Sequence, residues 1–155
     1  MTAVIGASVL DPSLYIPDLK TRRKLSVLHE LVACAHQAGV VRKPRLLRET
    51  LALRERLGSS AVGKGVAVPN ARSIAAVEPR IVVARSSRGI DWGAADGADV
   101  QLVLLVLSPA EAPDDSHIDL VSRAASATRL QRNRQRLLEA EDFHAISAVL
   151  SELVP

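Results

Sequence analysis

Glu55-Arg-Leu-Gly58-Ser-Ser-Ala-Val-Gly63-Lys-Gly65-Val-Ala-Val-Pro69-Asn70-Ala-Arg72 decides how the rest of the chain is read. It is a glycine-punctuated turn, a short apolar run, a proline and then a polar residue. Proline cannot donate to a strand ladder, so Val66–Val68 reads as a strand that closes at Pro69. The glycines let a preceding helix turn tightly into that strand. Gly58 to Lys64 also nearly spells a nucleotide phosphate loop, G-x-x-x-x-G-K-[ST]. The last position fails, because Gly65 has no hydroxyl to hold magnesium. The context fails as well: such a loop follows a strand and opens a helix, whereas here a helix precedes and a strand follows.

Working outward, Ile5 to Ile16 reads as extended or irregular, broken by Pro12 and Pro17. Thr21 to Ala38 has helical spacing, with Leu25, Leu28, Leu31, Val32 and Ala35 on one face. Thr21 or Ser26 is placed to cap its start and Gly39 to end it. Pro44 suits the first turn of a second helix that runs to about Leu57, where Gly58 stops it. Arg80–Arg85 reads as a strand. Gly89 to Gly97 carries turn chemistry, with a short arm around Ile90 and Trp92. Val100–Leu107 is almost purely apolar, which predicts a central strand covered on both faces. Three helices follow: His117 to about Thr128 with Ser116 as cap, Leu130 to Ala140, and Asp142 to Leu153. Two helices, three strands and then these helices predict an α/β fold, one mixed sheet flanked by helices, in a single domain over 1–155.

The 155 residues are 48% hydrophobic and 24% charged, which is the balance of an ordinary soluble globular protein. The longest apolar run is far short of the roughly 20 residues of a membrane helix, so no membrane insertion is expected. No basic stretch precedes an apolar one at the N-terminus, which argues against a signal peptide. One cysteine, Cys34, rules out an internal disulfide and makes the cytoplasm the default location. It reads as a small buried hydrophobe. The net charge of +3 allows nucleic acid as a partner, but aromatics at 2% give no base-stacking platform, so nucleic acid is not the expected one. His29, His36 and His144 are scattered and suggest no metal site, and no cofactor is called for. Arg129, Arg132, Arg134 and Arg136 read as a solvated face, with a docking patch for an acidic partner as the second reading.

The central stretch resembles the active-site segment of the IIA proteins of the bacterial phosphoenolpyruvate:sugar phosphotransferase system, in the fructose/mannitol and nitrogen-regulatory branch. There, an Arg-Glu pair, a small-residue turn and G-x-G lead into an apolar-Ala-apolar-Pro-His run. This chain supplies Arg54-Glu55, Gly58-Ser59-Ser60, Gly63-x-Gly65 and Val66-Ala67-Val68-Pro69-Asn70. A second histidine opens a later helix in that family, and His117 is placed to match it. The resemblance spans nearly the whole chain, and a stand-alone domain looks more like the nitrogen-regulatory type than a fused transporter.

The resemblance implies that residue 70 stands where the family carries its phosphoryl group on histidine. A phosphoryl carrier needs a nucleophilic imidazole nitrogen. It also needs donors around the phosphate oxygens. By position, Arg54, Ser60 and His117 inherit the supporting parts, and Glu55, Gly63, Gly65, Pro69 and Arg72 line the pocket. A carboxamide can hydrogen-bond like a neutral imidazole but stores no phosphoryl group. Three explanations compete: a natural paralogue that cannot be phosphorylated and binds partners; a substitution introduced to lock that state; or His117 as the acceptor. The expectation is a regulatory protein that contacts phosphocarrier-like proteins or regulated targets, without transferase activity. Its oligomeric state is open, a homodimer among the options. Plainer readings stand beside these: Asn70 as a turn residue, His117 as a helix-start residue, and Arg54-Glu55 as a solvated pair.

Overall fold

In the computed structural model, residues 9–151 are described. The strands are β1 Tyr15–Ile16, β2 Ala61–Gly63, β3 Val66–Ala67, β4 Asn70–Ser73, β5 Arg80–Ile90 and β6 Val100–Pro109. The helices are α1 Lys24–Gln37, α2 Pro44–Leu57, α3 Asp114–Ala127, α4 Gln131–Glu139 and α5 Phe143–Leu150, with a 3-10 turn at Pro12–Leu14. The described part of the segment expected to be extended or irregular contains that turn and the two-residue β1. Its beginning, and the last residues expected in the final helix, lie outside the described residues.

β6 organises the fold. Its residues are buried throughout except Gln101, and successive side chains point to opposite faces of the sheet. Val103, Leu105 and Leu107 join one core with Leu28, Leu31, Leu47 and Leu51 from α1 and α2. Leu102, Leu104 and Val106 join the other, with Leu120, Ala124, Leu137 and Ile146 from α3, α4 and α5. One apolar strand therefore nucleates two helical layers, as the sequence predicted.

The sheet is mixed, ordered β1-β5-β6-β3-β2, with β4 also on β6. β5 is antiparallel to β6, and β3 and β4 run parallel to it. Val66 lies opposite Leu102 and Asn70 opposite Val106, so the register is the same on both sides of Val68-Pro69. Pro69 interrupts the pairing along β6 without shifting its register. Its carbonyl still accepts from Val106 N–H at 2.9 Å, while its nitrogen has no hydrogen to give.

Several local expectations change. Leu25 is exposed and Val27 takes its place in the core. α1 starts at Lys24 with Arg23 as N-cap and no side-chain cap, so neither Thr21 nor Ser26 serves. α3 begins at Asp114, and Ser116 sits inside it with its hydroxyl on the Pro113 carbonyl. Asp142 does cap α5, accepting from Ala145 N–H. The turn expected over Gly58–Gly65 contains β2, which pairs back on β3 as a hairpin. Lys64, at φ 60, and Gly65, at φ 81, form its tip.

Gly65 is held there by geometry: an added Cβ would meet the Asp99 carbonyl oxygen at 3.2 Å. Gly93, at φ 73, has open space around it. Gly93→Ala is expected to cost about 1–2 kcal/mol from the left-handed backbone alone. Gly65→Ala is expected to cost more, because crowding adds to the same penalty. Urea unfolding midpoints of the two variants check the difference.

Candidate functional site

Pro69 ends one parallel pairing on β6 and Asn70 begins the next, so Asn70 sits at a break in the sheet. Its carboxamide nitrogen donates to the Val68 carbonyl at 3.2 Å. Its Oδ1 faces two donors: Arg54 Nη2 from α2 at 3.4 Å and His117 Nε2 from the first turn of α3 at 3.1 Å. The far ring nitrogen of His117 lies 2.6 Å from the Ser108 hydroxyl at the end of β6. Three elements from both helical layers thus converge on one side chain.

The protonation pattern follows from these contacts. Arg54 can only donate, so it fixes the Asn70 oxygen toward itself and toward His117. His117 Nε2 then carries the hydrogen, and Nδ1 accepts from the Ser108 hydroxyl. Burial pushes the His117 pKa below its ordinary value, and the Arg54 and Arg72 guanidinium groups push it further the same way. A neutral imidazole with hydrogen on Nε2 satisfies every partner. Arg72, on β4, pairs with Asp114 and donates to the Ala112 carbonyl at 3.3 Å.

A second network holds the end of α2 to the hairpin. Glu55, whose side chain is 6% exposed, pairs with Lys24 Nζ at 3.0 Å and accepts from Ser60 N–H at 3.0 Å. The Ser60 hydroxyl accepts from the Trp92 indole N–H at 3.1 Å. Lys24 Nζ also lies 5.6 Å from the centre of the Trp92 ring, within cation–π range. Arg54, Glu55, Ser60, Pro69 and Asn70 share one open cavity of about 370 Å³ with Leu57 and neighbouring residues. Arg54, Arg72, His117, Asp114 and Ile118 line an adjoining one of about 320 Å³.

Of the residues singled out from sequence, Asn70, Arg54 and His117 meet directly, and Arg72, Glu55, Ser60 and Pro69 stand around them. Gly63 and Gly65 line neither cavity; Gly63 leads into the hairpin tip and Gly65 forms part of it, both with the positive φ that the turn requires. Arg54-Glu55 is split in role: Arg54 reaches the site while Glu55 is an inward tie, so the pair is not simply solvated. Ser108, Trp92 and Lys24 were missed. Ser108 reads in sequence as a strand terminator before Pro109, and Lys24 as an ordinary helix lysine. Trp92, the lone tryptophan of the chain, was the available signal. Among the described residues no group of three His, Cys, Asp or Glu side chains is arranged to hold a metal. None of the described helices is long and apolar enough to cross a membrane.

A family model described as phosphoenolpyruvate-dependent sugar phosphotransferase system, EIIA 2, matches residues 8–153. The chain is 36% identical over 140 residues to a nitrogen regulatory protein of Bradyrhizobium diazoefficiens, with 90% of each covered. It is 27% identical over 135 residues to the fructose-specific EIIABC component of Bacillus subtilis, covering 87% of this chain and 21% of that protein. The chain thus spans about a fifth of that relative's length. The crystal structure of nitrogen regulatory protein IIA-Ntr from Neisseria meningitidis matches the fold at a TM-score of 0.86 and 24% identity, over 95% of this chain and 99% of that one.

Two measurements check the site. The folded ring of His117 takes up its proton at lower pH than the unfolded ring. The unfolded state therefore binds more protons, and acid favours unfolding. The stabilising contribution is complete above the ordinary histidine value of about 6.5 and is lost as pH falls through the lowered one. NMR titration should place His117 below that ordinary value, and Arg54→Met should move it upward. Glu55→Ala leaves Ser60 N–H and Lys24 without their carboxylate; a loss of about 1–3 kcal/mol is expected by chemical denaturation.

Proposed function

This chain belongs to the EIIA 2 family of the phosphoenolpyruvate-dependent sugar phosphotransferase system, and we propose that within it the chain is a nitrogen-regulatory-type binding protein that carries no phosphoryl group. The observation that carries this reading is the contact of Asn70 Oδ1 with both Arg54 and His117. The residue proposed to stand in the acceptor's place sits among the groups that would serve an acceptor, yet offers them an amide oxygen. An amide is no phosphoryl nucleophile.

The same contact weighs against His117 as a substitute acceptor. With hydrogen on Nε2, the lone pair that an incoming phosphoryl group needs is on Nδ1, which is engaged by Ser108. Attack through Nε2 would require the ring to change tautomer and the Asn70 amide to reverse. The reversed amide would bring its NH₂ against Arg54.

On this reading the pocket serves recognition. Leu57 and Ile118, 80% and 63% exposed, flank the arginines on either side of Asn70. Apolar residues beside arginine form the usual centre of a protein contact. The partner class is a phosphocarrier-like protein or a regulated target, and the family domain is proposed to fill the whole chain. The relatives carry the nitrogen-regulatory assignment: the B. diazoefficiens protein is described as a nitrogen regulatory protein and matches this chain over nearly its full length.

The test is incubation with a phosphorylated histidine phosphocarrier followed by assay for acid-labile phosphate. The native chain should remain unlabelled, and Asn70→His should become labelled. Labelling of the native chain that disappears in His117→Ala would overturn the proposal.

A further inference from the structure

Two sequence features stay outside the Asn70 site: the Gly63-Lys64-Gly65 turn and the arginines after α3. The fold brings them together. Lys64, Arg129 and Arg134 line one cavity of about 220 Å³ with Val62, Gly63, Ala125 and Thr128. Ala125 lies in the last turn of α3, roughly 12 Å along the helix from His117, so the cavity is separate from the Asn70 site.

We propose that this cavity is a binding site for a phosphate dianion, either inorganic phosphate or the phosphate monoester group of a small metabolite. Three basic residues line one small space, and no carboxylate is among its lining residues. Arg134 gives Nη1 to the Thr128 and Arg129 carbonyls at 2.9 and 2.7 Å, which caps α3 and fixes the guanidinium. That leaves the rest of its donor fork for a ligand. The Asp96 carboxylate is hydrogen-bonded to the backbone: it accepts from Lys64 N–H at 2.9 Å and Ala98 N–H at 3.1 Å. It ties the hairpin tip in position. These contacts hold Asp96 below its ordinary carboxylate pKa.

Clustered like charges repel unless an anion joins them, and charge-assisted bonds to phosphate oxygens are the strong kind. The cavity is below the roughly 300–1,000 Å³ of drug-sized ligand sites, so the ligand must be small. Val62, 53% exposed, supplies an apolar wall for a short organic part. The proposal is independent of the role of Asn70.

The test is an amide NMR titration of the full chain with inorganic phosphate, a hexose 6-phosphate, and chloride at matched ionic strength. Saturable shifts are expected at Gly63, Lys64, Gly65 and Arg129 with both phosphates and not with chloride. Tighter binding of the hexose phosphate would identify an organic ligand, and equal binding the phosphate itself. Lys64→Gln combined with Arg129→Gln, both at exposed positions, should weaken binding by about tenfold or more. Arg54→Gln combined with Arg72→Gln should leave it unchanged. Shifts that chloride reproduces, shifts that survive the Lys64/Arg129 pair, shifts abolished by the Arg54/Arg72 pair, or no saturable shift would each overturn the proposal.

Discussion

Proline at position 69 has no amide hydrogen, and the arrangement around it depends on that missing donor. The chain alongside β6 cannot keep an unbroken ladder through this point. It therefore divides into β3 and β4 while β6 runs on beside both in one register. A gap in a strand that lies next to the most buried strand of the sheet is well positioned for a site. The backbone is fixed on both sides by β6, and the side chain after the gap is released toward the helix ends. Asn70 takes that place, and α2 and α3 reach it from the two layers that β6 holds apart.

What reaches Asn70 is set by charge and by the direction of hydrogen bonding. An arginine that only donates orients the amide, and the amide oxygen orients the histidine hydrogen. The histidine's other nitrogen then takes the Ser108 hydroxyl. Each assignment leaves one choice for the next. Burial and two guanidinium groups lower the pKa of the imidazole and so favour its neutral form, which is the form this sequence of donors and acceptors requires. The site is consequently a single ordered network in which Asn70 is the acceptor shared by both neighbours.

Much of the fold was legible in sequence because its signals are local. The run Val100–Leu107 announces a strand covered on both faces, and Pro44 and Gly58 mark the two ends of α2. β4 was not legible: Asn-Ala-Arg-Ser has no strand pattern, and it is a strand only because β6 lies beside it. β2 was hidden for a related reason, since Ala61–Gly63 pairs with β3 across a glycine turn that reads as loop. Arg54, Asn70 and His117 were legible through the resemblance of their segments to those of the family. The Lys24, Glu55, Ser60 and Trp92 network was not, because its partners are far apart in sequence and each residue alone has a plain reading. Position along a helix tells which face a residue shares, but not which loop will close over it.

On the reading proposed above residue 70 offers no acceptor nitrogen, and such a pocket does not depend on one. Arg54 is placed by α2, whose end is tied through Glu55 to Lys24 and to the hairpin. His117 is placed by α3 and Ser108. Neither position depends on what residue 70 can react with; both need only an acceptor within reach, and a carboxamide provides one. A change from imidazole to amide at this point would thus remove covalent chemistry while leaving the surface that a partner meets nearly intact. A scaffold with that property can drop the transfer step and keep the contact, which is the physical basis for reading this chain as a recogniser.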